Sequence, residues 1–429
     1  MYRVASGVTR ALLLVSSILL LANPASARRL WEAGIQVGTT EEKDGTNALR
    51  DLPDIFDTDN LGQLFGGYDP RNEPLRAKLD LRGLPALIAW DDVNFVLTIA
   101  VPGVPQLVFD SPPTSTDPLE EAFDEFEDWL HGDFDGPGAA STALTSFLQE
   151  LVARSPVDPV AGNPNSLMSR MTGHDYKLGS EGPFIYSDRR IPDAPDQTGI
   201  GLLFNYASVG IRGNLDVETL ELPFDHRFNL RRFPNLSLLF SFPLTATFTN
   251  REWSVMGSIG LGFQYRPFEW WALTPMFRLG ASGSIDVGAA AFLYSATLNS
   301  DIHFPLSRFV DGAPEVEVHI VNQLGISESL GFEIGDFKID YDLTNGVFRN
   351  GGYLRGVFGQ SRWGWRFFGN DTRWAGDDLF FESHADIGLA LLRTGNAAGF
   401  LYESLALEAS YFGDFDAYNG VSLMLRGRF

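Results

Sequence analysis

The stretch from Leu236 to Arg266 constrains the fold of this chain more than any other segment. Each of its two halves alternates apolar residues with small or polar ones, and a polar turn at residues 250–252 joins them, which predicts an antiparallel hairpin. The apolar faces comprise Leu236, Leu238, Phe240, Phe242, Leu244 and Phe248, then Trp253, Val255, Ile259, Leu261, Phe263 and Tyr265. Strands of ~9 to 11 residues or more with aromatic ends suit a tilted bilayer crossing, so we predict that these faces contact lipid.

The same alternation continues to the end of the sequence. Candidate strands fall near residues 200–206, 214–231, 236–249, 253–266, 270–284, 285–304, 315–326, 331–343, 346–358, 363–374, 379–392, 400–412 and 420–429. Because barrels of single bacterial chains usually have an even number of strands, we predict an all-β membrane protein, an antiparallel transmembrane β-barrel of about 12 strands, in a range of about 10 to 14. The weakest candidate is 363–374. A soluble β-sandwich would also alternate, but strand length and aromatic ends favour the membrane barrel.

Composition excludes several classes of function. The chain contains no cysteine, which excludes disulfides, thiolate metal sites and a lipid-modified amino-terminal cysteine. Its formal net charge of -23 argues against binding to a phosphate backbone, because nucleic-acid footprints are basic. The sequence therefore predicts no nucleic-acid partner, and no pattern in it predicts a bound cofactor.

The amino terminus resembles a secretory signal peptide in its layout. Arg3 and Arg10 precede an apolar run at residues 11–22, and the small residues Ala25 to Ala27 follow. The run is shorter than the ~20 residues that a spanning helix needs. We predict that residues 1–27 are a signal peptide, cleaved after Ala27.

Residues 28–154 are predicted to form a small α+β domain. Short strand candidates at 77–82, 86–90, 94–101 and 106–109 follow a segment, 28–76, that reads as loop. A first helix starts after Asp117, and a second starts at Ser141 with the apolar stripe Leu144, Phe147, Leu148 and Leu151. Residues 155–199 are dense in proline and glycine and predict a linker, so the barrel is assigned to residues 200–429.

Assigning the apolar faces to lipid predicts the lumen. Early strands turn small uncharged residues inward, whereas later strands turn charge inward, with acids in excess over bases. The predicted lumen charge cluster is Glu317, His319, Asp336, Asp340, Arg349, Arg355, Glu382, His384, Asp386 and Glu408. In a water-filled lumen the excess of acids favours cations. The alternative is a network of ion pairs that braces a narrow barrel.

Chemistry within this cluster is a weaker hypothesis. Glu382, His384 and Asp386 project inward together, and a histidine beside carboxylates is a plausible base. Ser383 points to the opposite face, however, so no nucleophile and base pair on that strand. A metal site at Glu317, His319, Glu382 and His384 would require two strands to be neighbours, which nothing in the sequence indicates. We therefore assign no catalytic and no metal-binding residues.

The last strand carries a resemblance to a known class. Val421, Leu423, Leu425 and Phe429 alternate with polar residues, and this resembles the carboxy-terminal signal that delivers Gram-negative outer-membrane barrels to their insertion machinery. Gly427 departs from the bulky residue usual there. The resemblance implies two partners, outer-membrane lipid and that machinery.

In size and ending, residues 200–429 also resemble the translocator domain of autotransporters. In that family a helix usually runs through the pore before the first strand, and here the equivalent stretch, 155–199, is rich in proline and glycine. Three functions stay open. The first is a channel for small solutes or an envelope structural protein, plugged by the amino-terminal domain through the stripe of its second helix. The others are an autotransporter-like translocator with a short passenger, and an outer-membrane barrel enzyme.

Overall fold

A computed structural model describes residues 29, 31–46, 52–81, 83–131, 139–180, 196–210, 215–249, 252–284, 289–306, 316–334, 337–339, 341–358, 361–394, 404–414 and 418–428. These residues form an amino-terminal domain built on a six-stranded sheet and a closed antiparallel barrel. No helix among them is long and apolar enough to span a membrane.

The amino-terminal domain is an antiparallel sheet covered on one face by helices. Its strands are β1 (Trp31–Val37), β2 (Thr40–Thr46), β3 (Leu75–Leu81), β4 (Leu84–Asp91), β5 (Val96–Ala100) and β6 (Leu107–Asp110), in the order β2-β1-β3-β4-β5-β6. Its helices are α1 (Thr58–Phe65), α2 (Pro118–His131) and α3 (Ala139–Ala153), with a short 3-10 helix at Pro53–Phe56. Phe109 of β6 contacts Trp129 of α2, which in turn contacts Phe147 of α3 at 5.8 Å between ring centroids.

The four strands and two helices predicted for residues 77–154 are present with small shifts at their ends. Asp117 accepts a hydrogen bond from the Glu120 amide, 3.2 Å away, and so caps α2 as predicted. The loop predicted for residues 28–76 is wrong, because β1, β2 and α1 form there. Strand β2 is polar throughout and pairs only with β1, so no alternation in its sequence signals a strand.

The barrel is built from the second half of the chain. Its strands are β7 (Gln197–Val209), β8 (Leu215–Leu222), β9 (Phe224–Asn229), β10 (Leu236–Ser241), β11 (Leu244–Thr249), β12 (Glu252–Phe268), β13 (Trp271–Ser284), β14 (Ala289–Pro305), β15 (Val316–Leu330), β18 (Thr344–Val357), β19 (Trp363–Gly376), β20 (Ser383–Thr394), β21 (Ser404–Gly413) and β22 (Tyr418–Arg428). A two-stranded hairpin, β16 (Phe332–Ile334) and β17 (Phe337–Ile339), extends from it. The barrel closes where β22 pairs with β7.

The barrel has 12 strands, because β8 and β9 form one kinked strand of the wall and β10 and β11 form another. Pro223 separates β8 from β9, and Pro243 separates β10 from β11, at neighbouring positions in the wall. Proline lacks the amide that a ladder needs, so both strands break there while β12 continues past them. The predicted number of about 12 is confirmed. The weak candidate was misjudged, since 363–374 is a full barrel strand and 331–343 is the short hairpin outside the wall.

The predicted lipid face agrees with the exposure of the side chains. Along β12, Val255, Ile259 and Leu261 are exposed on the outside of the barrel, while Ser254 and Ser258 are buried on the inside. A closed barrel whose outer surface is covered by apolar residues is stable in a lipid bilayer. The alternation identified in the sequence therefore places one face in the bilayer and the other in the lumen.

A pair of leucines with equal exposure tests the lipid face. Leu261, at the middle of β12, is 58% exposed, and Leu87, on the domain sheet, is 57% exposed. Leu261→Arg is expected to cost ~2 to 4 kcal/mol because it places a charge in hydrocarbon. Leu87→Arg meets water and should change stability by less than about 0.5 kcal/mol. Folding titrations in lipid vesicles compare the two variants, and equal costs would contradict the assigned face.

The amino-terminal domain lies against one end of the barrel. We call the end where β7 starts and β22 finishes the terminal rim, and the opposite end, where β7 finishes and β22 starts, the domain rim. The loop between β19 and β20, at the domain rim, contacts α3: the Phe380 amide donates to the Ala153 carbonyl at 2.8 Å, and Arg154 pairs with Asp378 at 3.1 Å. The domain and the first residue of β7 are therefore at opposite ends of the barrel.

Candidate functional site

A helix occupies the lumen of the barrel. Helix α4 (Leu167–Gly179) follows the amino-terminal domain directly and contacts β12, β13, β14 and β15 from the inside. The prediction of a linker over residues 155–199 is therefore wrong for its first half, which forms a buried loop and this helix. The stripe on α3 does not occupy the lumen: Phe147 contacts Trp129 of its own domain, and Leu144 and Leu151 are buried in a core that continues from the domain into the domain rim of the barrel. The segment in the lumen is α4.

Local sequence explains why the helix starts where it does. Ser166 is its N-cap and accepts a hydrogen bond from the Ser169 amide, 3.4 Å away. Before it, Asp158 and Asn163 accept amide hydrogen bonds within their own turns, which satisfies the backbone of a loop that is buried from residue 155 onward. Gly162 has a φ of +79°, and a Cβ there would lie 2.5 Å from the Ala153 carbonyl, so only glycine fits.

A buried ion pair joins the helix to the wall at its centre. Asp175 of α4 accepts from the Arg278 Nε at 3.0 Å and Nη2 at 2.7 Å, and both side chains are completely buried. Thr297 donates to the second carboxylate oxygen at 3.0 Å, and Asn299 donates to the Asp175 carbonyl at 3.2 Å. These contacts come from two adjacent strands, β13 and β14, so they fix both the height and the rotation of α4.

A second ion-pair cluster holds the opposite side of the helix. Arg170 Nη1 of α4 lies 2.5 Å from one oxygen of Glu221 on β8, and His174 Nε2 lies 3.1 Å from the other. Arg170 also donates to the Asn165 side chain at 2.8 Å, and Asn165 donates to the Tyr418 hydroxyl at 2.5 Å. Helix α4 is thus anchored to strands on both sides of the barrel.

Hydrogen bonds continue towards the terminal rim. Gln323 donates to the Thr172 carbonyl at 2.8 Å, and Tyr353 donates to the Ser180 carbonyl at 3.0 Å. A helix of this length is about 20 Å long, which approaches the ~25 Å height of the apolar band of such barrels. The chain therefore crosses most of the lumen between the domain rim and the terminal rim.

Glycines in the wall make room for the helix. A Cβ at Gly280 would lie 2.5 Å from the Met171 sulfur, and one at Gly351 would lie 2.6 Å from the Tyr176 hydroxyl. Both residues face the lumen on strands whose other lumen residues carry side chains. The small residues predicted to line the early strands thus permit close approach, to α4 rather than to α3.

The predicted charge cluster separates into several distinct places. Glu317 pairs with Arg355 and Glu408 with Arg366, His319 contacts Asp301, Arg349 stacks over Tyr176 of α4, and His384 and Asp386 line a cavity. The prediction that Glu382 projects into the lumen is wrong. Its side chain is exposed in the loop before β20, at the domain rim, and does not join His384. Asp336 and Asp340 lie outside the described residues. His319 and His384 are on non-adjacent strands, so the four-residue metal hypothesis fails.

The excess of acids predicted for the lumen stays a prediction, because Asp336 and Asp340 lie outside the described residues. Five acids that face the lumen each pair with an arginine, as Asp175–Arg278, Glu221–Arg170, Asp225–Arg426, Glu317–Arg355 and Glu408–Arg366. Buried charges require such partners because desolvation otherwise costs several kcal/mol per ion. The geometry matches the bracing network, which was the alternative to a cation-selective lining.

A polar cavity of about 120 Å³ remains between α4 and the wall formed by β7 and β18 to β22. His384, Asp386, Glu408 and Arg349 line it from the wall, and Lys177 lines it from the helix. At ~30 Å³ per water it holds roughly four waters. The space is polar and small, and it accommodates solvent between α4 and the wall.

Several residues of the site were missed in the sequence. Arg278 lies on the same face of its strand as the inward residues Thr274, Gly280 and Ser282. The sequence therefore indicates that it points into the lumen, but not that it holds a helix there. Arg366 and Glu221 are similar cases on β19 and β8. For α4 the available signals were Ser166 as a cap and the absence of proline from residues 167–182.

The fold and the lumen define the class of this chain: it is an outer-membrane β-barrel protein, with a helix of its own chain inside the barrel. No protein-family model and no curated relative matches the sequence.

Among solved structures the chain is similar to the translocator domain of the autotransporter NalP from Neisseria meningitidis, with 11% identity, a TM-score of 0.43, and coverage of 61% of this chain and 95% of that one. It is similar to the beta domain of the Bordetella autotransporter BrkA, with 12% identity, a TM-score of 0.38, and coverage of 55% and 99%. It is also similar to an outer membrane channel from Pseudomonas putida F1, with 10% identity, a TM-score of 0.39, and coverage of 55% and 97%. At these values the likeness concerns barrel architecture, and the class rests on the strands and lumen described above.

Proposed function

We propose that this protein displays its own amino-terminal domain at the cell surface, in the manner of an autotransporter translocator with a short passenger. The observation that carries the proposal is the path of the chain. The domain lies at the domain rim, α4 crosses the lumen, and β7 starts at the terminal rim. A chain with this path has passed from one side of its own barrel to the other.

The width of the lumen determines whether the domain can cross it in a folded state. One helix of ~10 Å diameter occupies the lumen, with small cavities between it and the wall. A sheet of six strands at ~4.8 Å spacing is more than 20 Å wide. The domain therefore crosses unfolded, or while the barrel is still open, and folds afterwards at the domain rim.

The direction of crossing follows from how the chain reaches the membrane. We propose that residues 1–27 direct export to the periplasm of a Gram-negative bacterium and are then removed. Strand β22, with Val421, Leu423 and Leu425 towards lipid and Phe429 after it, would present the chain to the barrel-insertion machinery. Insertion from the periplasm leaves the terminal rim on that side and the domain on the outside.

Because the chain contains no cysteine, a single introduced thiol reports its own location. Val93→Cys lies in the domain at a site 77% exposed, and we expect a membrane-impermeant maleimide to label it on intact cells. The matched control is Arg232→Cys, exposed in the turn at the terminal rim, which should be labelled only after the outer membrane is permeabilised. Removing Phe429 should reduce labelling of Val93→Cys by impairing insertion. Labelling of Arg232→Cys with protection of Val93→Cys would overturn the proposal.

A second candidate is a plugged channel for small solutes, and the polar cavity beside α4 favours it. In that case α4 would leave the lumen to open a path along the charged wall of β18 to β22. The two functions differ in whether α4 moves after the barrel has assembled. Solute uptake that depends on movement of α4, in a chain whose domain is labelled at the surface, would support the channel.

A further inference from the structure

Two histidines and an aspartate meet on the lumen side of β14 and β15 near the terminal rim. His303 and His319 are directly opposite each other in the ladder, and Asp301 is two residues along β14. The His319 Nδ1 lies 3.0 Å and 3.2 Å from the two Asp301 oxygens. One donor atom from each of the three residues lies within 4.8 Å of the others. None of the contacts described above between α4 and the wall involves these three residues.

We infer that Asp301, His303 and His319 bind a divalent transition-metal ion of the Zn²⁺ class. Two imidazoles and a carboxylate form the donor set that suits such ions, whereas Mg²⁺ and Ca²⁺ prefer oxygen alone. Three protein ligands leave a coordination position open to water or to a ligand atom. The absence of cysteine removes any competing thiolate site from the chain.

The surroundings of His319 support this donor set. Its ring is completely buried, and its Nε2 lies 3.7 Å from the carboxylate of Glu317. With the metal on Nδ1, the ring proton resides on Nε2 and faces that carboxylate, and such an outer carboxylate commonly orients a metal-binding histidine. Glu317 is held in turn by Arg355. Tyr353 stacks on the His319 ring at 4.0 Å and fixes its plane.

Charge and access are compatible with a bound ion. Arg355 pairs with Glu317, and Arg266 donates to the Gln264 side chain at 3.2 Å, so both nearby guanidiniums have partners outside the three donors. His303 is partly exposed, two residues before β14 ends at the terminal rim. The site therefore lies near that rim, on the side of the lumen where His303 is partly exposed.

The test uses the full mature chain, purified without a histidine tag and stripped with EDTA. Titration with Co²⁺ is expected to give about one bound ion per chain, with the visible absorption of a nitrogen and oxygen site. His303→Gln and His319→Gln should each weaken binding by at least ~10-fold, in line with the loss of one ligand. His384→Gln, which changes another buried lumen histidine, should bind Co²⁺ as the parent chain does.

Folding of every variant is checked by heat-modifiable migration in electrophoresis. A second measurement needs no substitution: the electron paramagnetic resonance spectrum of Cu²⁺ bound to the parent chain should show coupling to two imidazole nitrogens. No stoichiometric binding by the parent chain, coupling to fewer than two nitrogens, or binding retained in both His303→Gln and His319→Gln would overturn the inference. Each of these outcomes leaves the surface-display proposal untouched.

Discussion

A chain that lacks residues 28–180 is expected to conduct ions where the full mature chain is closed. Without α4, the lumen leaves a path about as wide as the ~10 Å helix and ~25 Å long. A water-filled path of those dimensions conducts on the order of 1 nS in about 1 M KCl by simple resistance. The full chain, in which α4 occupies the lumen beside a cavity of about 120 Å³, should show only rare openings. Planar bilayer recordings compare the two.

The matched control removes the domain and keeps the plug. A chain lacking residues 28–153 retains the buried loop and α4, and it should stay closed. A second route folds the complete chain first: a protease site inserted between residues 180 and 196 is cut after assembly, which frees α4 and its domain to leave together. If the folded barrel conducts no more after either removal of α4, the helix is not the plug.

Arg278→Met is expected to lower the free energy of unfolding by ~3 to 5 kcal/mol, because it leaves the buried Asp175 carboxylate without its cation. Replacing both partners, as Asp175→Leu with Arg278→Met, should recover much of that loss, since no isolated charge remains. Unfolding titrations in detergent micelles measure both variants.

Arg373→Met provides the control for this substitution. Arg373 and Asp371 form a pair at 2.8 Å, but their side chains are 70% and 45% exposed near the domain rim. Breaking an exposed pair should cost less than about 1 kcal/mol. Equal losses for Arg278→Met and Arg373→Met would show that Arg278 does not hold α4 by charge.

The membrane-facing part of the fold was predictable because each side chain of a strand has one of two surroundings, lipid or lumen. A strand between lipid and lumen must alternate apolar and polar residues. The faces of residues such as Phe263 and Gln264 can therefore be predicted without knowing what they contact. The even count of strands was predicted because barrels of single bacterial chains usually have an even number. What alternation cannot reveal is whether a stretch such as 331–343 joins the wall or folds as a separate hairpin, since both alternate.

The lumen was less predictable because polar and apolar side chains are buried together in it. Helix α4 buries Ser169, Thr172 and Asp175 together with Met171, so it lacks the apolar stripe by which helices are recognised. Its partners, such as Arg278 and Glu221, lie far away in sequence and pair only after closure. A sequence shows that such residues face inward but not which of them meet.

The plug, α4, and the barrel belong to one polypeptide, and this lowers the affinity that α4 needs in order to stay in the lumen. A helix tethered by a short loop experiences an effective concentration on the order of millimolar at its site, and release does not dilute it. Even a weak intrinsic affinity of α4 for the lumen therefore keeps the barrel filled for most of the time. On this view the buried ion pairs serve less to retain the helix than to select one rotation and depth for it, and lasting opening requires that the tether be cut.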